Sequence, residues 1–359
     1  MSSIKRYSSL LLVVIAIAGN DGCGSSPVGH VAYVTLASAN QVGGYGIDSS
    51  GKLSQLQGSP FSGGSSPESI AIHPSKKFLY VANEGGGDIS LFTIDSSSGA
   101  LTEASSRTTA EANTSALAMD SGGKVLFAAN SGSNDVSVFS INSTSGALTE
   151  VAGSPFPAGT KPIALAVSSN GFLYVANASS ATVSAYSISS SSGALTEISG
   201  SPYGAGIDPY SVASDPGGHF LYVANLESGS VSAFTIDSSS GALTAISNSP
   251  FTAGTNPISV AVDTSGKYLY VANSGSSNVS AFSIDSSSGG LTQVSGSPFG
   301  AGSNPVFAVV DVSDGFLFVG DQSSKIYAYS INSGTGALSS VSGSPFGTSS
   351  SPSAMSTMQ

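Results

Sequence analysis

The chain of 359 residues contains no tryptophan and a single cysteine. One cysteine cannot form a disulfide within the chain, so the small disulfide-stapled classes of secreted domain are excluded. Charged residues make up only 9% of the sequence, with 10 Lys and Arg against 21 Asp and Glu. The net charge of −11 disfavours binding to nucleic acid or to anionic lipid, and no basic cluster offsets it.

The N-terminal segment, residues 1–29, has the pattern of an export signal and tether. Lys5 and Arg6 precede an apolar run, residues 10–18, which is too short to span a bilayer permanently. Two processing routes fit this pattern. The segment Ala16-Ile17-Ala18 is a site for ordinary cleavage, and Cys23 resembles the lipidated cysteine of bacterial lipoproteins. We therefore predict an exported protein that is periplasmic, secreted or lipid-anchored at the cell surface, with membrane contact only through Cys23.

From residue 30 onward the sequence repeats itself at a nearly constant interval. A Tyr-Val-Ala-Asn motif or a close variant recurs with almost even spacing and ends at Asn83, Asn130, Asn177, Asn225 and Asn273. One further step of the same length in each direction reaches Asp321, in the segment FLFVGD, and Leu36, in the segment AYVTL. The sequence therefore contains seven copies, with no linker between them.

Each copy contains four strand-like runs separated by turns. In the copy around Asn273 these runs cover residues 258–262, 268–272, 279–284 and 291–295. Repeats of four antiparallel strands at this spacing are typical of β-propeller blades. We predict an all-β fold, in which residues 30–359 form one domain, a seven-bladed β-propeller of four-stranded antiparallel blades.

The two ends of the repeat array complement each other. The first copy lacks an innermost strand, whereas the last copy continues past its fourth strand into residues 351–358, which align with residues 66–72. We predict that the C-terminal segment supplies the innermost strand of the blade built from the N-terminal strands. Such a closure leaves no open sheet edge.

The recurring segments YVAN, VSAFSID, SGALT and GSPF make the chain resemble the YVTN-repeat propellers and the seven-bladed lactonase family. That family includes 6-phosphogluconolactonase and the carboxymuconate-lactonising cyclase. Its enzymes resemble one another in a P-R-H segment before the innermost strand and a Y-V-x-N-E segment after the next strand. In this chain Glu84 matches the acidic residue of the second segment, whereas Glu68 and Ser69 replace the Arg and His.

The remaining residues give a lactonase few cationic or basic groups. Arg107 is the only arginine after the signal, and we expect His73 and His219 to lie on the face opposite Glu84. A lactonase needs a proton-transfer group and donors for the substrate's oxygens. Recurrent aspartates occupy one turn per blade and cannot converge on a metal ion. Gly85–Gly87 is followed by no helix or Lys-Ser/Thr pair, so no phosphate loop, cofactor or metal is predicted.

The face that holds Glu84 is the predicted binding surface, because the repeats diverge there. Its ligand-binding candidates are Glu68, Glu84, Asp88, Arg107, Lys161, Asp208, Tyr210 and Phe307, with Glu111, Asp135, Glu227, Asp321 and Lys325 also on the rim.

Three functions are consistent with this sequence. The main prediction is a monomeric, non-enzymatic scaffold of the cell envelope that binds an envelope protein or a glycan. The alternative, implied by the family resemblance, is a lactonase or lactonising cyclase with Glu84 as the acid or base. The third is a purely structural array.

Overall fold

The computed structural model describes residues 30–359, and the predicted export signal and Cys23 lie outside the described residues. Residues 30–359 form seven antiparallel sheets, the blades, whose innermost strands contact one another in a closed ring. The predicted all-β, seven-bladed propeller is confirmed. One short 3-10 turn, Ala37–Ala39, interrupts the strands. Among these residues no helix is long and apolar enough to cross a membrane.

The two strands nearest the axis carry most of the buried residues of each blade. The inner strands of blades two to seven, followed by that of blade one, are Pro67–Ile72, Thr114–Met119, Pro162–Val167, Pro209–Ser214, Pro257–Val262, Pro305–Val310 and Ala354–Met358. The second strands, in chain order, are Val31–Leu36, Phe78–Asn83, Val125–Asn130, Phe172–Asn177, Phe220–Asn225, Tyr268–Asn273 and Phe316–Asp321.

The third and outer strands lie farther from the axis, and the outer strands are the shorter of the two. The third strands are Gln41–Ile47, Asp88–Ile94, Asp135–Ile141, Thr182–Ile188, Ser230–Ile236, Asn278–Ile284 and Lys325–Ile331. The outer strands are Leu53–Gln55, Leu101–Glu103, Leu148–Glu150, Leu195–Glu197, Leu243–Ala245, Leu291–Gln293 and Leu338–Ser340.

Each blade also has a fifth strand, in a segment that the sequence pattern predicts to be part of a connection. These short edge strands pair with the third strand beyond the end of the outer strand, at Phe61–Ser62, Thr108–Thr109, Phe156–Pro157, Tyr203–Gly204, Phe251–Thr252, Phe299–Gly300 and Phe346–Gly347. A serine hydroxyl joins the two pairings: Ser249 Oγ accepts the backbone N–H of Ala233 at 2.9 Å. In blade five the backbone N–H between the two pairings therefore has an acceptor.

The ring is closed by the two ends of the described chain, as predicted. The C-terminal strand Ala354–Met358 pairs antiparallel with Val31–Leu36, and Val34 lies opposite Met355. The buried Thr35 hydroxyl accepts the Ala354 backbone N–H at 2.8 Å, and the Thr35 carbonyl accepts the Ser353 backbone N–H at 2.9 Å. Both sheet edges that would otherwise be open are thereby paired.

Tyrosine hydroxyls link consecutive blades. The tyrosine of the second strand donates to a glycine carbonyl in the turn before the next blade's outer strand, in the pairs Tyr33–Gly99, Tyr80–Gly146, Tyr174–Gly241, Tyr222–Gly289 and Tyr270–Gly336. Blades three and seven have Phe127 and Phe318 at this position. The turn requires glycine: Gly289 has φ of +71°, and a Cβ there would lie 2.4 Å from the Phe220 ring.

Replacing Tyr222 by Phe tests this link between blades. The substitution keeps the ring in its fully buried site but removes the hydroxyl that donates to the Gly289 carbonyl at 2.9 Å. We expect the free energy of unfolding to fall by about 1 to 2 kcal/mol, because a buried carbonyl loses its donor. Chemical denaturation measures this loss. Tyr203→Phe, at the exposed rim, is the control, and equal effects in both variants would refute the link.

Removing residues 353–359 tests the ring closure. The deletion takes away a strand with fully buried Met355 and leaves Val31–Leu36 unpaired on one side. We expect a loss of stability on the order of 5 kcal/mol, together with aggregation. Thermal unfolding and size-exclusion chromatography measure both effects. Deletion of Gln359 alone, which lies outside the strand, is the control, and equal melting of the two proteins would contradict the closure.

Candidate functional site

A β-bulge interrupts the start of six of the seven inner strands. In blades two to seven the pairing with the second strand skips one residue, which is therefore outside the ladder, and these bulge residues are Glu68, Ser115, Ile163, Tyr210, Ile258 and Val306. Bulges re-aim side chains and are frequent beside functional sites. We call the bulge residues, together with the loops that join second and third strands at the same end, the mouth.

Glu68 is the bulge residue whose chemistry is most unusual. Its side chain is 7% exposed, and burial together with the nearby negative charge of Glu84 raises its pKa to about 8. The Ser66 hydroxyl donates to Glu68 Oε1 at 3.3 Å and partly opposes this increase. With this pKa the Glu68 carboxyl holds its proton at neutral pH, and the Glu84 carboxyl lies close enough to interact with it.

Another part of the mouth is apolar. Ile163, Tyr210 and Ile258, from three successive inner strands, are buried in one cluster with Ala178, and Leu226 packs against it. Tyr210 is one of the candidates predicted from the sequence, whereas the aliphatic residues around it are not. The signal that identifies them is positional, because each one of the three bulge residues directly follows the proline that begins its inner strand.

Lys161 and Asp208 begin the approach to two of these inner strands. Both have left-handed backbones, with φ of +58° and +56°, directly before the strand's proline. Burial raises the pKa of the half-buried Asp208 carboxyl, the Lys161 ammonium lowers it, and Glu227 raises it again. These three charges therefore lie near one another on the Glu84 face, where acidic groups outnumber the lysine.

Three other sequence-predicted residues lie outside this arrangement. The prediction that Phe307 binds a ligand is wrong. Its side chain is fully buried against Gly320, its partner across the ladder, and is therefore unavailable to a ligand. Arg107 is exposed beside the outer strand and donates to Glu103 Oε1 at 2.8 Å. The Asp88 carboxylate accepts from Asn83 Nδ2 at 2.6 Å, which gives it a structural role at the start of the third strand.

The turn aspartates and the histidines have the structural roles that the sequence indicated. Asp285 accepts hydrogen bonds from Ser287 and Ser288, whose hydroxyls and backbone N–H groups lower its pKa to about 2. His73 and His219 lie between inner and second strands, at the opposite end from Glu84. Within residues 30–359 no group of three His, Cys, Asp or Glu side chains is placed to hold a metal ion.

The arrangement offers acid and base groups in one place. A protonated carboxyl donates a hydrogen bond or a proton, and a neighbouring carboxylate accepts one. The side chains of Ile163, Tyr210 and Ile258 provide a water-poor side to the mouth. Such a combination suits the addition of water to an ester-like bond in a small, largely uncharged molecule.

The chain is similar to known proteins in sequence pattern and in fold. A family model for the lactonase, a 7-bladed beta-propeller, matches residues 24–161, 151–261 and 247–351. No curated protein matches the chain. A protein assigned as a 6-phosphogluconolactonase from Bacteroides uniformis has a similar structure, with a TM-score of 0.81 at 19% identity over 92% of this chain and 99% of its own.

Two further solved structures show the same likeness. A second protein assigned as a 6-phosphogluconolactonase, from Bacteroides fragilis, gives a TM-score of 0.81 at 19% identity, covering 94% of this chain and 100% of its own. The periplasmic gluconolactonase of Pseudomonas aeruginosa gives 0.76 at 18% identity, covering 92% and 99%. At these identities the likeness establishes the fold. The family model, which matches most of the described residues, shows that the chain belongs to the lactonase family of seven-bladed β-propellers.

Proposed function

We propose that the protein hydrolyses an uncharged lactone in the mouth, with Glu68 and Glu84 as the acid–base pair. One feature supports this activity above the others: burial raises the pKa of the Glu68 carboxyl to about 8, and the Glu84 carboxyl lies close enough to contribute to this increase. Family membership supports the same chemistry and favours it over the non-enzymatic scaffold that the sequence alone predicted.

The two carboxyl groups divide the reaction between them. The Glu84 carboxylate removes a proton from a water molecule while the oxygen of that water attacks the lactone carbonyl carbon. The Glu68 carboxyl then gives its proton to the ring oxygen as the carbon–oxygen bond breaks, so that the product is an open-chain hydroxy acid. Proton exchange with water returns both groups to their starting states.

The charges of the mouth select the substrate. The sequence places Glu68 and Ser69 where the family pattern has Arg and His, so the cationic donors that would bind a phosphate are missing from these positions. Asp208 and Glu227 add further negative charge on the same face, against Lys161. A phosphorylated or carboxylated lactone is therefore disfavoured, and a neutral sugar lactone such as glucono-1,5-lactone suits the mouth.

The predicted export is consistent with this activity. A protein of similar fold is the periplasmic gluconolactonase of Pseudomonas aeruginosa, and the N-terminal segment of this chain, residues 1–29, has the pattern of an export signal. We propose that the protein acts outside the cytoplasm on lactones that reach the cell envelope.

Replacing Glu84 by Gln tests the catalytic assignment. We expect kcat/KM for glucono-1,5-lactone to fall by roughly 10²- to 10⁴-fold, because the amide cannot accept the proton of the attacking water. Proton release in a pH-stat, corrected for spontaneous hydrolysis, measures the rate. The matched control is Glu150→Gln, an exposed carboxylate on an outer strand, and its rate should equal that of the unaltered protein.

The same assay with 6-phosphogluconolactone tests the charge selectivity, and we expect the neutral lactone to react faster. An unaltered protein that hydrolyses neither lactone above background would refute the enzyme and return the function to a binding scaffold. Turnover that persists in Glu84→Gln would refute the catalytic role of Glu84 but not the lactonase activity.

Replacing Glu68 by Gln tests the protonation of this group. The unfolded chain ionises Glu68 near its ordinary pKa of 4.5, whereas the folded protein retains the proton until about pH 8. Between these values the folded state binds the additional proton, so the free energy of unfolding decreases as pH rises and the loss is complete above about 8. Between a pH below 4.5 and a pH above 8, the free energy of unfolding falls by an amount on the order of 5 kcal/mol.

We expect Glu68→Gln to remove this decrease and to be more stable than the unaltered protein at pH 9. Chemical denaturation at a series of pH values between 4 and 9 measures the slope. Glu150→Gln is again the control and should keep the slope of the unaltered protein. Parallel stability curves for the unaltered protein and Glu68→Gln would show that Glu68 is ionised throughout.

A further inference from the structure

A polar groove lies between blades five and six, at the end of the blades where the second and third strands are joined. It has a volume of about 340 Å³, which is within the range of small-molecule sites. One wall is the loop 226–229 of blade five, and the other is the connection 253–256 that leads into the inner strand of blade six. Glu68 belongs to blade two, across the ring, so the groove is separate from the proposed lactonase site.

The corresponding junction is bridged by an asparagine side chain at two other places in the ring. Asn40 and Asn134 end the loop before the third strand in blades one and three, with left-handed backbones (φ of +55° and +64°). Asn40 Oδ1 accepts the Ser66 N–H at 2.8 Å, and Asn134 Oδ1 accepts the Lys161 N–H at 2.7 Å. In both junctions a carboxamide oxygen therefore binds the backbone N–H directly before the proline of the next inner strand.

Blade five has a glycine at this position, and its junction stays open. Gly229 has the same left-handed backbone, with φ of +62°, but no side chain that could reach blade six. Asn256 directly precedes the proline of blade six, and within residues 30–359 its backbone N–H forms no hydrogen bond. Both residues line the groove. The groove is therefore the space that a carboxamide occupies in the other two junctions, and the donor for the carboxamide oxygen is still present.

Other polar groups of the groove are also available to a ligand. Asn278 Oδ1 accepts from Asn273 Nδ2 at 2.8 Å and from Ser276 Oγ at 3.2 Å, which leaves the two N–H groups of its amide to donate. Among the described residues, the Thr255 hydroxyl and the exposed Glu227 carboxylate form no hydrogen bond. The groove thus offers donors at Asn278 and acceptors at Glu227.

This lining indicates a neutral ligand that carries an amide group and hydroxyl groups. An amide carbonyl oxygen is the acceptor that the Asn256 N–H would meet if the junction were bridged as in blades one and three. Hydroxyl groups can donate to Glu227 and accept from Asn278. The lining includes no lysine or arginine, so a phosphate or carboxylate would meet Glu227 with no compensating cation. Acetamido sugars combine an amide and hydroxyl groups on one ring.

We infer that the groove binds an N-acetylated saccharide, whose acetamido carbonyl accepts from the Asn256 N–H as the Asn40 and Asn134 carboxamides do in their own junctions. The hydroxyl groups of the same sugar bind Glu227 and Asn278. Such a site attaches the protein to an N-acetylated glycan. It is independent of lactone hydrolysis, because it lies on different blades from the acid–base pair.

Gly229→Asn fills the groove with the side chain that blades one and three already have. Asparagine is one of the residues that adopt a left-handed backbone, as Asn40 and Asn134 do here. Its Oδ1 can accept the Asn256 N–H, so we expect the melting temperature not to fall. The introduced carboxamide then occupies the place of the acetamido group, and sugar binding should be lost.

A second variant and a matched control accompany this substitution. Asn278→Asp removes both amide donors but keeps the acceptor for Asn273, and blades two and three have Asp88 and Asp135 at this position with the same bond. Ala181→Asn is the control, because Ala181 ends the same loop in blade four with φ of +55°. It places the same side chain in the neighbouring junction and leaves the groove unchanged.

Calorimetric titration compares three β-1,4-linked trisaccharides that differ at C2 of each sugar. Triacetylchitotriose carries acetamido groups, cellotriose carries hydroxyl groups, and the glucosamine trisaccharide carries ammonium groups. We expect Kd for triacetylchitotriose to be lower than that for cellotriose by about tenfold or more, the effect of one hydrogen bond. Its binding should be lost in Gly229→Asn, weakened by about tenfold in Asn278→Asp and kept in Ala181→Asn. In all three variants kcat/KM for glucono-1,5-lactone should stay unchanged.

Saturable binding of triacetylchitotriose with this pattern would support the site even if the protein hydrolyses no lactone. Four results would each overturn the inference: equal Kd for cellotriose, tighter binding of the glucosamine trisaccharide, no binding of any sugar, or binding that persists in a folded Gly229→Asn. Sedimentation with insoluble chitin and with peptidoglycan distinguishes two sources of the acetamido group, and binding to either polymer that is lost in Gly229→Asn supports the site.

Discussion

The pairing of Ala354–Met358 with Val31–Leu36 is the constraint on which the rest of the molecule depends. Seven sheets with apolar faces are stable only when each has two neighbours, and this pairing gives the first and last blades theirs. The closing segment also contacts the inner strand that carries Glu68. The Ser353 hydroxyl donates to the carbonyl of Pro67 at 2.8 Å, and Pro67 immediately precedes Glu68. The hydrogen bonds that fasten the ring therefore position the strand that presents the acid group.

The blades are nearly uniform, yet the mouth varies from blade to blade. The reason is that the inner strand has positions within the ladder and one bulge position outside it. Residues within the ladder of inner and second strands are restricted by close packing, so Ala and Ser recur there. The bulge residue is outside the ladder, and the same geometry presents a carboxyl at Glu68, a phenol at Tyr210 and an alkyl group at Ile163. Variation at one position per blade thus changes the chemistry of the mouth at little cost to the fold.

The sequence predicted the fold well because its signals are periodic: the seven copies, the strand order and the closure were all readable. The edge strands were not predicted, because a segment of two residues has no periodicity. The prediction that Phe307 binds a ligand was wrong because its position in the ladder buries its side chain. The segment FLFVGD contains a residue that indicates this burial. Gly320 replaces the usual alanine opposite Phe307, where a Cβ would lie 2.3 Å from the ring. The raised pKa of Glu68 was not predictable, since it depends on burial by residues distant in sequence.

The tyrosines that link the blades also make the interfaces visible to optical spectroscopy. Tyr33, Tyr80, Tyr174, Tyr222 and Tyr270 are fully buried, and burial raises the pKa of each phenol far above its ordinary value. Because the chain contains no tryptophan, no indole emission masks the phenol signal. These five of the 13 tyrosines therefore contribute a label-free signal, in phenolate absorbance and in tyrosine fluorescence, that changes when contacts between blades are lost.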